Sequence, residues 1–436
     1  MTRSLNVAIV VSELPYPPTA GNRIRSLHLA LRLARRHKIT FMAHRNEEAE
    51  EATRFLGNHG ITTILVDRAL PVISGPGFYA RLLGNLASPL PYSVASHSSR
   101  ALREAVQSVS TEQRIDLWQA EATALIDTLV DLDGVPKVII AHNVESLIWE
   151  RYAETEPNRL KNWYIRQQWR KFERFERRAF AAATRVVAVS EPDATLIRDR
   201  FGGWAVDVVD NGIDRRYFEA VRPNPDPATI LFLGSLNWRP NVDAIGLLVE
   251  KIFPAVRAAE PAARLQIVGR KPSPALIQRA REVPGVELHA DVPDVRPFLA
   301  KSTVMVVPLR IGGGSRLKIL EALAAGLPVI STRVGAEGLE LVPGVNYIAA
   351  DEPEQMTEAL VASIRDPRPA RAMAERTRGF VLERYDWDTL ADRLERVWFD
   401  CLECSSPRFV EVGPSRGEAA DRAHGTAAEK LIGDLR

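Results

Sequence analysis

Short apolar runs recur along this chain, each ending in a small or polar residue and each followed by a turn or by a segment of helical periodicity. That alternation leaves few folds open. The first series is "NVAIVVS" (6–12), "KITFMA", "TTILV", "DLWQAE", "PKVIIAHN", "TRVVAVS" and "AVDVVDNG", complete by about Gly212. After "RPNPDPA" (222–228), a proline-rich stretch that reads as a linker, a second series runs through "TILFLGS", "RLQIVG", "VELHA", "VMVVPL", "LPVIST" and "NYIAA". Strands alternating with helices predict α/β domains with parallel sheets, here two of them. The expected boundaries are 1–221 for the first domain, 222–384 for the second and 385–404 for a last helix packing back toward the first. A polar tail, 405–436, has little apolar content and reads as disordered.

Length agrees with two cores, since 436 residues exceed one ordinary domain and 46% of them are hydrophobic. The 57 basic and 55 acidic residues leave a formal net charge of +2, so the chain carries no global field of the kind that marks a nucleic-acid binder. Any anion must be met locally. No stretch approaches the roughly 18 apolar residues of a membrane span, and "NVAIVVSEL" is too short for a secretory signal, so a cytoplasmic protein is expected. The only cysteines, Cys401 and Cys404, form a C-x-x-C outside any redox or zinc setting.

Two open α/β domains bind ligands in the cleft outside the carboxyl ends of their strands. Gly21, His142, Ser190, Asn211, Gly212, Gly234, Gly269 and Arg270 all follow such strand ends. So does "RIGGGSRLKILEALAAGLPVIST" (310–332), in which three glycines precede two cations and a carboxylate on an amphipathic helix. A helix start with a glycine loop suits a phosphate, because unpaired N–H groups and a partial positive charge converge there. Plain turn-making glycines remain the alternative. With Ser315 as N-cap, Lys318 falls in the first helical turn, where a cation opposes the helix dipole.

The ordered set of "IIAHN", "VVAVSE", "VDNGID", "ILFLGSL", "LQIVG" and "GGGSRLKILEALAAGLPVIST", after an early glycine turn at Gly21, resembles the retaining glycosyltransferases of family 4, which have the two-domain GT-B fold. The resemblance covers about residues 5–402, and its variant form looks like transferases of bacterial exopolysaccharide pathways. It implies two Rossmann-like domains, with a nucleoside-diphosphate sugar in the second and the acceptor in the first. It assigns Glu321 to the ribose, a role that suits an acceptor-only carboxylate facing two hydroxyls, and places His142 near the transferred sugar. Gly313 stands where the family's second glutamate is usual. Ser235 follows Gly234 where an arginine is usual, leaving Arg239 as the nearest cation. The donor contacts expected are therefore Gly234, Arg239, Gly269, Arg270, Gly312, Gly313, Gly314, Ser315, Arg316, Lys318 and Glu321, with the glycines, Arg316 and Lys318 as a replacement diphosphate cradle.

Arg23 and Arg25 follow Gly21 and suit an anionic acceptor or the donor phosphates, or else a solvated first turn. "RLKNWYIRQQWRKFERFERR" (159–178) interleaves cations with Trp163, Trp169, Phe172 and Phe175, which fits an interfacial helix serving a lipid-linked acceptor at the inner face of the membrane, and equally a helix packed on its domain with a basic outer face. Asp131-Leu132-Asp133 and Asp386-Trp387-Asp388 do not follow suitable strands, so no metal and no cofactor are expected. The reading is a hexose-type glycosyltransferase acting on a glycan or lipid-linked acceptor. Its rivals are a nucleotide-sugar epimerase of the same fold and a non-catalytic sugar-binding protein.

Overall fold

The computed structural model describes residues 3–67, 75–97, 99–202, 205–311 and 316–405. In it the first apolar series forms β1 (Asn6–Val10), β2 (Lys38–His44), β3 (Thr62–Val66), β4 (Leu117–Ala120), β5 (Lys137–Ala141), β6 (Arg185–Ala188) and β7 (Val206–Val208). They lie in the order β3-β2-β1-β4-β5-β6-β7. The second series forms β8 (Thr229–Leu233), β9 (Arg264–Gly269), β10 (Val286–Ala290), β11 (Val304–Val307), β12 (Val329–Ser331) and β13 (Ile348–Ala349). Their order is β10-β9-β8-β11-β12-β13. The pairings within both sheets are parallel.

Helices cover both faces of the first sheet, which is why its strands lack polar alternation. Along β1, Val7 and Ile9 enter one core while Ala8 and Val10 enter the other, as the two-residue period of a strand requires. The helices that bear on function are α1 (Gly21–Leu33), α2 (Pro76–Asn85), α3 (Glu145–Thr155), α4 (Arg159–Ala181), α5 (Arg239–Leu247), α6 (Leu317–Ala324) and α7 (Trp387–Ser405). Helix α6 buries Ile319, Leu320 and Leu323 in the second core.

The chain leaves the first sheet through Asn211 and returns at Trp387, and the two passages are paired. The Ile213 N–H donates to the Tyr385 carbonyl at 2.8 Å, and the Trp387 N–H to the Ile213 carbonyl at 3.3 Å. Between them Gly212 has no room for a side chain, because a Cβ would stand 2.7 Å from the Tyr385 oxygen and 2.8 Å from the Trp387 ring. Helix α7 then joins the first core with Trp387, Leu390, Leu394 and Trp398. Both tryptophans are fully buried, and truncating either to alanine costs about 3–5 kcal/mol.

In each sheet the strand order reverses once, between β1 and β4 and between β8 and β11. A crevice opens at such a switch point because the two following connections run to opposite sides. The residues leaving β1, β4, β8 and β11 are therefore the ones to inspect. The expected N-cap Ser315 and the glycines Gly312, Gly313 and Gly314 lie outside the described residues, as does the tail from 406. The residue in the cap position of α6 is Arg316, in extended conformation.

Candidate active site

At the second switch point the end of β8 meets the start of α6. A Cβ on Gly269 would stand 1.8 Å from the Gly234 carbonyl oxygen. One on Gly234 would stand 2.7 Å from Asn241 Nδ2 and 2.8 Å from Lys318 Nζ. At Gly269 the obstacle is backbone, so no side chain fits and the ends of β8 and β9 touch through backbone, whereas at Gly234 the obstacles are the side-chain ends of Asn241 and Lys318. The Lys318 ammonium donates to Asn241 Oδ1 at 2.7 Å and lies 4.6 Å from the centre of the Phe232 ring, while Asn241 Nδ2 donates to the Ser235 carbonyl at 2.8 Å. A lysine that follows β11 in sequence thus stands at the end of β8, where Ser235 supplies no cation.

Glu321 is one helical turn from Lys318, on the same face of α6. Both side chains are partly buried. Burial, followed by the nearby Arg316 charge, pulls Lys318 down to about 7 against the opposing pull of Glu321. Burial pushes Glu321 up to about 7, with Lys318 opposing. Burial disfavours the charged form of each.

The arginines are placed differently from the sequence expectation. Arg316 is 4% exposed, and burial holds it at about 10 although the Glu337 and Asp193 carboxylates favour its charge. Glu337 also takes a bidentate pair from Arg151 of α3, at 2.6 and 2.8 Å. Arg316 thus faces the seam between the domains, while Lys318 is held by Asn241. Arg239, expected as a donor cation, lies 3.3 Å over the centre of the Tyr152 ring and 3.2 Å from Glu156, both from the first domain. Arg270 approaches Asp291 at 3.6 Å. Arg23 donates to the Tyr16 carbonyl at 2.7 Å and pairs with Glu48 at 2.8 Å. Arg25 is fully buried, donating to the Asp210 carbonyl at 2.5 Å and to Asn211 Oδ1 at 3.2 Å. Neither Arg23 nor Arg25 has the solvated first-turn position that the sequence leaves open.

At the first switch point Gly21 opens α1, and a Cβ there would stand 3.3 Å from Leu317 Cδ1 at the start of α6. The two halves of the site therefore adjoin. His142, just past β5, has its Nε2 3.2 Å from Glu121 Oε2, just past β4. Glu121 also accepts from Ser26 Oγ and from Gln119 Nε2, each at 2.5 Å. Burial alone would raise the Glu121 carboxyl, but His142, Ser26 and Arg25 outweigh it and hold the group below its ordinary range.

Glu121 and Asn241 are absent from the sequence expectation. Glu121 stands in "DLWQAE" with no motif around it, and only the adjacency of β4 and β5 brings it to His142. Asn241 carries a weak signal, as a polar residue in the first turn of a helix after a strand-end glycine. Phe172 and Phe175 are core residues, whereas Leu160 and Trp163 are exposed, 78% and 49%, at the other end of α4.

Residues 23–217 match the model of glycosyltransferase family 4, and residues 227–366 match that of the group 1 glycosyl transferases. The chain belongs to glycosyltransferase family 4. This family 4 chain is 26% identical over 234 residues to a phosphatidylinositol N-acetylglucosaminyltransferase subunit from Arabidopsis thaliana, spanning 52% of itself and about half, 51%, of that relative. It is 26% identical over 294 residues to the Mycobacterium tuberculosis glycogen synthase, covering 64% of itself and 69% of that enzyme. An uncharacterized protein in the cps region of Klebsiella pneumoniae is 20% identical over 87% of this chain and 96% of its own. Among solved structures, Anabaena HepE in complex with UDP and glucose superposes with a TM-score of 0.66 at 14% identity, over 91% of this chain and 100% of that one. WaaG, a glycosyltransferase involved in lipopolysaccharide biosynthesis, gives 0.61 at 17%, over 90% and 99%. These likenesses show the GT-B fold of two Rossmann-like domains.

Proposed function

We propose that this family 4 chain is a retaining glycosyltransferase that moves a hexose-type sugar from a nucleoside diphosphate to a glycan or lipid-linked acceptor, in the synthesis of exopolysaccharide or another surface polysaccharide. The observation that carries the reading is the placement of Lys318 and Glu321 together at the second switch point, with Gly234 and Gly269 stripped of side chains beneath them. A diphosphate beside Lys318 would offset the burial that disfavours its charge, and the backbone of 312–314 would supply N–H groups to the same anion. Glu321 would accept from the ribose hydroxyls. His142 would contact the sugar as the bond to phosphate lengthens, and the departing phosphate would take the acceptor proton. Charge is thereby neutralised by side chains and backbone rather than by a metal.

Support for a lipid-linked acceptor comes from α4 and α2. Leu160 and Trp163 are exposed on α4 among Arg159, Lys161 and Arg166, and Tyr79 and Leu83 are exposed on α2, 65% and 67%. The two helices are joined by Lys171, which donates to the Asn85 carbonyl at 2.6 Å. Exposed aromatic and aliphatic side chains among cations suit the surface of an anionic bilayer. Among the described residues no helix is long and apolar enough to cross a membrane, so such contact would be peripheral.

A thermal-shift panel of UDP, GDP and ADP sugars tests the core of the proposal. A donor present at about 100 times its dissociation constant stabilises by about 2.7 kcal/mol. One base should stand out, and a flat panel would overturn the reading.

A further inference from the structure

The proposed transfer uses His142 but leaves Glu121 without a task, although it is 8% exposed and surrounded by hydrogen-bond donors. Its surroundings determine more than its charge. The Trp398 indole can only donate, and it donates to Gln119 Oε1 at 2.8 Å. That bond forces the Gln119 amide to turn its NH₂ toward Glu121 Oε1, where the distance is 2.5 Å. Ser26 Oγ–H fills Oε2 from α1. The Glu121 backbone is pinned as well, its N–H donating to the Val10 carbonyl at 2.9 Å. Every group around this carboxylate therefore gives it a proton to accept, and Arg25 adds a positive charge behind it. Glu145, at the start of α3, is a second carboxyl whose charge reaches His142.

An ionised carboxylate accepts and cannot donate. Nε2 is the imidazole nitrogen nearest to it, at 3.2 Å, and a carboxylate there favours the form with the proton on that nitrogen.

We propose that Glu121 is a positioning residue: it fixes His142 in the Nε2–H form and ring orientation, which leaves Nδ1 as the ring's acceptor toward the sugar. This rests on His142 standing beside the transferred sugar. The pair is set by a chain of bonds that begins outside the cleft, from Trp398 on α7 through Gln119 to Glu121. The last helix, α7, thereby takes part in the chemistry of a strand end it does not follow in sequence.

Two measurements decide the matter. The first is nitrogen-15 spectroscopy of the full chain with labelled histidine, His142 being assigned by its loss in His142→Gln. The wild-type ring should carry its proton on Nε2, and Glu121→Gln should mix the two neutral forms, since a glutamine can present either its oxygen or its NH₂. A His142 with its proton on Nδ1 alone overturns the proposal whatever the substrate.

The second is release of nucleoside diphosphate from UDP-glucose, UDP-N-acetylglucosamine and GDP-mannose. Glu121→Gln should lower kcat at least about tenfold with donor KM within about threefold, and the double variant Glu121→Gln/His142→Ala should be no slower than His142→Ala alone. Multiplying losses in the double variant would show that Glu121 acts apart from His142 and would overturn the proposal. Should Glu121→Gln fail to fold, Ser26→Ala removes one donor and should show a smaller loss of the same kind, absent in the His142→Ala background. If none of the three sugar nucleotides turns over, the transferase reading falls, while the spectroscopic result still decides the role of Glu121.

Discussion

The two switch points of this molecule are built on opposite principles. At the first, Glu121 is enclosed by Ser26, Gln119, His142 and Arg25, which together favour its charge. At the second, Lys318 and Glu321 each sit where burial disfavours their charge, with Asn241 holding the ammonium. A site complete by itself orients a group; a site that is electrostatically incomplete binds one. On the proposed function, the contrast would give positioning to the strand ends of the first sheet and donor affinity to those of the second.

The comparison is broken most severely at Gly269. A methyl group there meets the Gly234 carbonyl at 1.8 Å, so Gly269→Ala should destabilise the second domain by about 3 kcal/mol or more, at the upper end of overpacking costs. Chemical denaturation would measure it, and a loss below about 1 kcal/mol would mean the two strand ends can part. Glu321→Gln comes next: donor affinity should fall by about 1.5–3 kcal/mol as a charge-assisted acceptor becomes neutral, read by calorimetry with the sugar nucleotide found in the panel. His142→Ala sharpens the other side, lowering kcat by about tenfold or more while donor binding changes less. Equal effects of the Glu321 and His142 variants on binding would erase the division between the halves.

The smallest effect is on the pH dependence of the ligand-free protein. Between about 4.5 and about 7 the folded chain keeps a proton on Glu321 that the unfolded chain has lost, so this group's contribution to stability falls as pH rises. Between about 7 and about 10.5 the unfolded chain holds a proton on Lys318 that the folded chain has given up, so stability rises with pH. Their joint contribution is lowest near neutrality. Thermal melts should show Glu321→Gln flattening the acid limb and Lys318→Met the basic limb, and parallel curves for all three proteins would contradict the burial of the pair.

What is legible in the sequence follows the same division between local and distant causes. Runs such as "TILFL" and "RLQIV" announce parallel strands because a sheet covered on both faces needs apolar residues in succession. Lys318 stands out in the sequence because a cation in the first turn of a helix goes against the dipole. The arginines do not. The sequence leaves Arg25 open between an anionic ligand and solvent and offers Arg239 as a donor cation, whereas their partners Asp210, Tyr152 and Glu156 reach them only through tertiary folding. Glu121 is invisible for the same reason: its meaning comes from β5 lying beside β4 and from Trp398, which is 279 residues from Gln119.

The claim that the second switch point is the diphosphate site is tested most directly by Lys318→Ala, titrated in the calorimeter with UDP and GDP and with their nucleosides, alongside a thermal melt of the ligand-free variant. The account predicts that the diphosphate loses affinity by about tenfold or more, as for a charge-assisted contact. The nucleoside should keep its affinity, and the ligand-free protein should be as stable as wild type or slightly more so, because a first-turn cation has been removed. Equal losses for nucleoside and diphosphate, or a destabilised protein with normal diphosphate affinity, would contradict it and make Lys318 a support of the fold.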